Sequence, residues 1–388
     1  MISNKVKIKP RGIYLIQEPG CLNPYSGAFH HISMGVKELS KYFNIKLFLN
    51  SNSIELSKYA KKINSNQNKK ETIIQVKQQG YVYGTLKDIN ILFKNLLKIP
   101  NLYTCFKNQE LSFVYERKAY LDFAGLVTCM FLRIPHFYEV NGVMFKTRYK
   151  YYKSLFEPVA KFLERKAYKN SNHNFFVGSY GNYWKLKTSN WTNVENGIES
   201  KYINNTELNK DFKGVLEFCF VGRYAKHHNI ECLVEAIDYI ENKHTIKINF
   251  IGTGLDYIVK NISKKNIEVI YHGYLNREAL LNVLNQCHVG LICGTPPYQS
   301  CMKLHDYALS RCLVLAPMVD NLKTRFDKRL LFFDDNNAKS LATKINQIIG
   351  DHSLINTYGN LIHNEIINNY TWDKIFLNKI NKIKSIIN

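Results

Sequence analysis

Two α/β domains, each built on a doubly wound parallel sheet with helices on both faces, are the architecture this sequence predicts. Three observations carry that expectation. The chain has 388 residues, more than one ordinary core accommodates and suited to two domains of roughly 150–200 residues. Short apolar runs of strand character alternate with segments of helical periodicity, which is the pattern of a parallel sheet. The alternation then restarts after a polar, asparagine-rich passage at 190–214, the composition that joins domains. Hydrophobic residues make up 45% and charged residues 22% of the chain, enough apolar side chain for two cores.

In order, GIYLIQ (12–17) reads as a strand, EPGCLNPYSGAFHH (18–31) as a long Pro- and Gly-rich loop, and ISMGVKELSKYF (32–43) as a helix. IKLFLN (45–50), LSFVYER (111–117), HFYEVNG (136–142) and NHNFFVGS (172–179) are later strand runs, separated by helical stretches such as LFEPVAKFLERKAYK (155–169). Beyond the 190–214 passage come five more runs: LEFCFVGR, IKINFIGTG, IEVIYHGY, HVGLICG and CLVLAP. The tail TWDKIFLNKINKIKSIIN (371–388) is an amphipathic helix. These readings place the domains at 1–200 and 201–370, with 371–388 returning to the first.

Nine cysteines are scattered from Cys21 to Cys312 without a CxxC pair, which argues against a disulfide framework or a zinc ribbon and fits a reducing cytoplasm. The opening MISNKVKIKPRGIYLIQEPG lacks the apolar run and small-residue cleavage site of a signal peptide. AGLVTCMFL (124–132) is about half of what a spanning helix needs. The net charge is +22, and residues 1–200 hold 30 Lys+Arg against 13 Asp+Glu (+17), leaving 23 against 18 (+5) for the rest. Such a field draws polyanions or an anionic membrane surface.

FVGRYAKHHNI (220–230) sets Gly222 and Arg223 directly after a buried strand, with Lys226, His227 and His228 before the next helix. A strand-to-helix turn with free N–H groups and a guanidinium fork suits an anion, and a diphosphate is the natural one. His30–His31 and His227–His228 are adjacent pairs whose side chains diverge on a regular element, so no metal is expected. GTGLDY (252–257) has two of the three glycines of a dinucleotide fingerprint, which argues against a dehydrogenase.

The ordered series FVGR with its basic turn, FIGTG, IEVIYHGYLNREALLNVLNQCHVGLIC, SCMKLHDYALSRCLVLAP and NYTWDKI resembles the nucleotide-binding domain of the retaining glycosyltransferases of family 4, which have the GT-B fold. PYSGAFHHISMGVKELS, IPHFYEVNG, LERKAYKNSNHNFFVGS and NVENGIESKYI extend the resemblance over nearly the whole chain. It implies two Rossmann-like domains facing each other across a cleft that closes about the linker. It further implies a nucleoside diphosphate sugar as donor, no metal or other cofactor, and a glycan or lipid-linked acceptor of cell-surface polysaccharide or lipopolysaccharide synthesis. By the same resemblance the donor contacts are Gly27, Gly222, Arg223, Lys226, His228, Gly252, Tyr274, Tyr298, Ser300, Cys301, Met302, Lys303 and Asp306. His30, His31 and Asn141 would meet the acceptor, and Arg223, Lys303 and Asn141 would act in catalysis, the cations by stabilising the departing diphosphate.

The chain departs from the pattern at five positions. Tyr298 stands where many relatives have a glutamate, Asp306 shortens the second acid, and His228 replaces a lysine; Asn141 replaces a histidine and Arg311 a glycine. MFKTRYKYYKSLFEPVAKFLERKAYKN (144–170) interleaves bases with aromatic and aliphatic residues. It reads either as amphipathic helices with their bases in water or as a contact for an anionic inner leaflet. Two other classes stay open on sequence alone. One is a basic nucleic-acid-binding or DNA-glycosylating protein, although no recognised nucleic-acid module is present. The other is a non-catalytic sugar-nucleotide binder, which Tyr298 and Asn141 would fit.

Overall fold

A computed structural model describes residues 9–24, 26–58, 80–148, 152–203, 210, 212, 214–241, 245–262 and 266–388. The basic leader at 1–8, part of the 190–214 passage and residues 149–151 of the basic-aromatic segment lie outside the described residues. The chain forms two compact units, one of Met1–Val194 with Phe376–Asn388 and the other of Glu195–Ile375. The first division therefore falls at 194/195, ahead of the expected 200/201.

Unit 1 contains β1 (Arg11–Ile16), β2 (Asn44–Leu49), β3 (Asn52–Ser53), β4 (Phe113–Arg117), β5 (His136–Val140), β6 (His173–Val177) and β7 (Trp191–Val194). They lie in the order β3-β2-β1-β4-β5-β6-β7, parallel except for β3, which runs antiparallel to β2. Ile13, Tyr14, Leu15, Phe113, Val114, Tyr115, Phe137 and Tyr138 are all buried, so the central strands are covered on both faces. The loop expected to run to His31 ends earlier, because the Ser26 Oγ accepts from Phe29 N–H at 3.1 Å and starts a helix at Gly27–Ser40. Trp191–Val194, expected as linker, is instead the edge strand β7, paired with β6. Helix Trp372–Ile387 contributes Phe376, Lys379, Ile380 and Ile383 to the interior of this unit. Gly35 makes room for it, since a Cβ there would lie 3.0 Å from the Phe376 ring.

Unit 2 contains β8 (Val215–Val221), β9 (Thr245–Ile251), β10 (Ile267–Gly273), β11 (Val289–Leu291), β12 (Leu313–Pro317) and β13 (Leu331–Phe333), in the order β10-β9-β8-β11-β12-β13. All pairings are parallel. Side chains alternate along each strand. Leu216, Phe218 and Phe220 of β8 thus join one apolar cluster with helices Ile230–Ile237 and Ala338–Gly350. Cys219 joins the other, with helices Arg277–Gln286, Met302–Leu309 and Ser353–Asn369. Five strands were expected here, and β13 is the sixth. In each unit the order reverses beside the first strand, β1/β4 and β8/β11, which makes the carboxyl ends of those strands the natural ligand position.

Candidate active site

The carboxyl ends of β8 and β11 are tied to helix Met302–Leu309 by one side chain. Val221 N–H donates to the Tyr307 Oη at 2.8 Å, and that hydroxyl donates to the Leu291 carbonyl at 3.1 Å. Gly290 admits the ring, because a Cβ there would come within 2.3 Å of it. Lys303, one turn earlier on the same helix, is thereby brought to the turn after β8. A Cβ at Gly222 would lie 3.1 Å from the Lys303 Nζ and 3.0 Å from the His228 Cε1.

That turn is a pair of interlocked glycine bends. Gly222 has φ +148° and Gly252 φ +136°, and a Cβ on Gly252 would meet the Gly222 carbonyl oxygen at 2.0 Å. Gly222 N–H donates to Ile251 O and Tyr224 N–H to Thr253 O, both at 2.9 Å, which locks the two bends together.

The cations gather here. The Lys303 Nζ is enclosed, lies 4.3 Å from the centroid of the Phe220 ring, and has no hydrogen-bond partner among the described residues. Burial lowers its pKa. A buried ammonium without an acceptor is unfavourable, and an anion bound at Gly222 would relieve it. The Arg223 and Lys226 side chains are exposed on the same turn and form no hydrogen bond or ion pair among the described residues. The His228 Nδ1 contacts the Arg223 carbonyl at 2.8 Å, so Nδ1 carries the proton and Nε2 is left as an acceptor. Burial and then the Lys303 charge push this imidazole down to about 3, so it is neutral.

Asp306 and Lys303, three residues apart, do not pair with each other. The Asp306 carboxylate is held by Arg277, whose guanidinium also lies over the Tyr202 ring at 5.3 Å. A carboxylate has four acceptor positions, so Asp306 keeps capacity for a hydroxyl. Ser300 is engaged from outside the helix: its Oγ accepts from the Asn196 N–H at 3.1 Å and the Asn196 Nδ2 at 2.7 Å. The neighbouring Glu195 is bound in turn by Arg325 Nε and Asn321 Nδ2, each at 3.2 Å. Cys301 is buried just before the helix, Met302 and Tyr298 are half-buried, and Tyr274 is exposed.

The remaining expected residues lie in unit 1. Asn141 follows β5 and its Nδ2 donates to the Glu139 Oε1 at 3.2 Å. His31 is buried with its Nε2 3.3 Å from the Glu139 Oε2, and burial pushes it down to about 4, so it is neutral near pH 7. His30 is half-buried, and Gly27 is exposed at the first helical residue. Glu139 itself is the centre of this group. It receives Tyr115 Oη at 2.6 Å, Arg117 Nη1 at 2.8 Å and Lys379 Nζ at 3.1 Å. Burial alone would raise its pKa, but His31, the ammonium of Lys379 and the guanidinium of Arg117 hold it well below the usual carboxylate range.

Sequence reasoning passed over Tyr307, Arg277, Glu139 and Lys379. Two of them left a signal: Glu139 is a charge inside the apolar run HFYEV, and Tyr307 stands at i+4 from Lys303.

No protein-family profile and no curated protein sequence matches the chain. Solved structures do match in three dimensions. Sucrose-phosphate synthase from Thermosynechococcus elongatus superposes with a TM-score of 0.68 at 14% identity, over 97% of this chain and 99% of that one. A glycosyltransferase from Rickettsia africae gives 0.68 at 12% identity, over 97% and 99%. HepE from Anabaena, solved in complex with UDP and glucose, gives 0.65 at 11% identity, over 97% and 100%. With the two reversed sheet orders already described, these likenesses identify the fold as GT-B, two Rossmann-like α/β units in one chain.

Proposed function

We propose that this protein is a nucleotide-sugar-dependent glycosyltransferase that moves a sugar, with retention of anomeric configuration, onto a glycan or lipid-linked acceptor in the synthesis of a cell-surface polysaccharide or lipopolysaccharide. It would work at the anionic inner face of the cell membrane. Unit 2 grips the donor and unit 1 offers the acceptor. The observation that carries this reading is the enclosed, unpaired Lys303 ammonium at Gly222, in the turn at the strand-order reversal. The HepE complexes with UDP and with UDP-glucose support a nucleoside diphosphate as the anion for that turn.

In this reading the acceptor hydroxyl attacks the anomeric carbon on the face from which the nucleoside diphosphate departs. The bond from that carbon to the β-phosphate oxygen breaks, and the hydroxyl proton passes to the departing diphosphate. Negative charge grows on the leaving group, so Lys303 and Arg223 act most strongly in the transition state. Lys226 completes the diphosphate contacts, and the neutral His228 accepts from a hydroxyl of the donor at its Nε2. Asp306 accepts from the ribose hydroxyls while Arg277 orients it. Tyr298 meets the donor sugar with a phenol where a carboxylate is usual, and the reaction requires no metal.

Thermal-shift measurements against UDP-, GDP-, ADP-, CMP- and dTDP-sugars test the donor. One of them, at 100 times its dissociation constant, should add ~2.7 kcal/mol of stability. Lys303→Met should lower transfer by about a hundredfold, or ~3 kcal/mol of transition-state stabilisation. Absence of a shift with every donor, or full activity after Lys303→Met and Arg223→Gln together, overturns the reading. A shift without turnover on any native lipid or glycan extract would assign a non-catalytic binder instead.

A further inference from the structure

Helix Tyr81–Leu96 turns its apolar face away from the protein. Its buried residues are Gly84 and Asp88. A Cβ on Gly84 would lie 1.8 Å from the Lys153 carbonyl oxygen, so the helix touches that backbone directly. Asp88 accepts from the Tyr152 Oη at 2.8 Å and lies 3.2 Å from the Arg148 Nε. Asn95, on the same side, donates to the Tyr120 and Leu121 carbonyls at 3.3 and 3.1 Å. This polar seam is the attached face.

The opposite face carries Val82, Leu86, Ile89, Phe93 and the capping Leu97, spaced by four, three, four and four residues. They are 74, 63, 47, 60 and 58% exposed. The apolar surface continues onto the next element, because Leu155 N–H donates to the Thr85 Oγ1 at 3.0 Å. Leu155 is 68% exposed and Phe162, on helix Glu157–Asn170, is 58% exposed. Scattered apolar side chains are ordinary on a surface, but a continuous stripe of this length marks an interaction site.

Charge identifies the partner. Unit 1 holds 33 Lys+Arg against 11 Asp+Glu, and unit 2 holds 20 against 20, so the whole +22 belongs to the unit that bears the stripe. Lys94, Lys153, Lys161 and Lys166 are exposed on the same two segments, whereas Asp88 and Glu164 are buried. A second copy of the chain would bring two strongly positive units together. A nucleic acid would engage the bases and leave the aliphatic stripe in water. An anionic phospholipid surface takes both, with acyl chains for the stripe and headgroups for the lysines.

We propose that the outward face of Tyr81–Leu96, with Leu155 and Phe162, docks unit 1 on an anionic phospholipid bilayer. This names the surface that makes the membrane contact of the proposed function; it rests on that contact and is independent of the donor chemistry. The full-length protein should float with vesicles of phosphatidylcholine and phosphatidylglycerol, less with phosphatidylcholine alone, and less again in about 1 M salt, where screening is nearly complete.

Leu86→Ser/Phe93→Ser should reduce the bound fraction on the order of tenfold while leaving the melting midpoint and any nucleotide-sugar shift unchanged. Those two controls separate loss of docking from loss of fold and from failure of the donor reading. Ile89→Asn provides an independent variant. Three outcomes overturn the proposal: flotation unchanged in both variants; a wild-type dimer that the variants render monomeric without any vesicle binding; or salt-sensitive retention of a DNA or RNA duplex with none of the vesicles.

Discussion

Glu164 sits inside unit 1 with neither carboxyl oxygen hydrogen-bonded among the described residues. Lys118, the cation that most favours its ionised form, directs its ammonium to the Ala119 and Asp122 carbonyls instead, at 2.6 and 2.7 Å. Burial therefore dominates and pushes the Glu164 carboxyl up to about 7 from the ordinary 4.5. The folded state then holds a proton that the unfolded state has released, so stability falls as pH rises from about 4.5 through 7 and stays reduced above that. The penalty above pH 7 is on the order of 3 kcal/mol. Glu164→Gln removes it: chemical denaturation should find the variant more stable than wild type at pH 8 and equal to it near pH 4. The same gain at both values would show that this carboxyl does not titrate in the window.

Arg311, which departs from the pattern at a glycine position, shows what such a departure asks of the backbone. It has φ +54°, in the left-handed region where glycine is preferred, which is the physical reason a glycine suits that place after a helix. The guanidinium compensates in part by donating to the Asn360 Oδ1 at 2.7 Å. A charge in a sequence thus conceals a backbone requirement that only the torsion angle reveals.

At the scale of elements, legibility followed the length and apolar character of the run. GIYLIQ and LEFCFVGR announce strands because central parallel strands are apolar on both faces. β3, β7 and β13 did not, being two, four and three residues long, too short for a period to register. Lys303, Arg223 and the glycine turns could be named from their order along the chain. Their fastening could not, because the Tyr307 hydroxyl bridges strands far from it in sequence. The stripe on Tyr81–Leu96 escaped for the opposite reason, since apolar residues at helical spacing imply a buried face by default.

The terminal helix combines both cases. Its periodicity is plain in the sequence, yet it is seated by Lys379, a residue that reads as solvent-facing. Lys379 is fully buried and reaches both the Tyr115 Oη and the Glu139 Oε2 at 3.1 Å. Lys379→Met keeps the aliphatic packing and removes the charge, leaving Glu139 with Arg117. Breaking one partner of a buried cluster should destabilise unit 1 by about 3 kcal/mol. Denaturation followed by tryptophan fluorescence checks this, and a loss under 1 kcal/mol would mean that packing alone seats the helix.

For the whole molecule, the chain passes between the units twice, at 194/195 and again at 375/376. The last thirteen residues, Phe376–Asn388, belong to the unit that contains the N-terminal half. They bury Phe376, Ile380 and Ile383 there, each at 1% exposure or less, together with Lys379. Burial of three such side chains contributes on the order of 6 kcal/mol, comparable with the entire stability of a typical domain. A chain ending at Ile375 should consequently lose unit 1 while keeping unit 2, whose two apolar clusters draw nothing from beyond Tyr370. Limited proteolysis with mass spectrometry reads this directly: in wild type the helices and strands described for both units should resist. The shortened chain should be digested up to about Val194 and leave a protected fragment beginning near Glu195. Equal protection of residues on both sides of that point would mean that unit 1 is held together without its terminal helix.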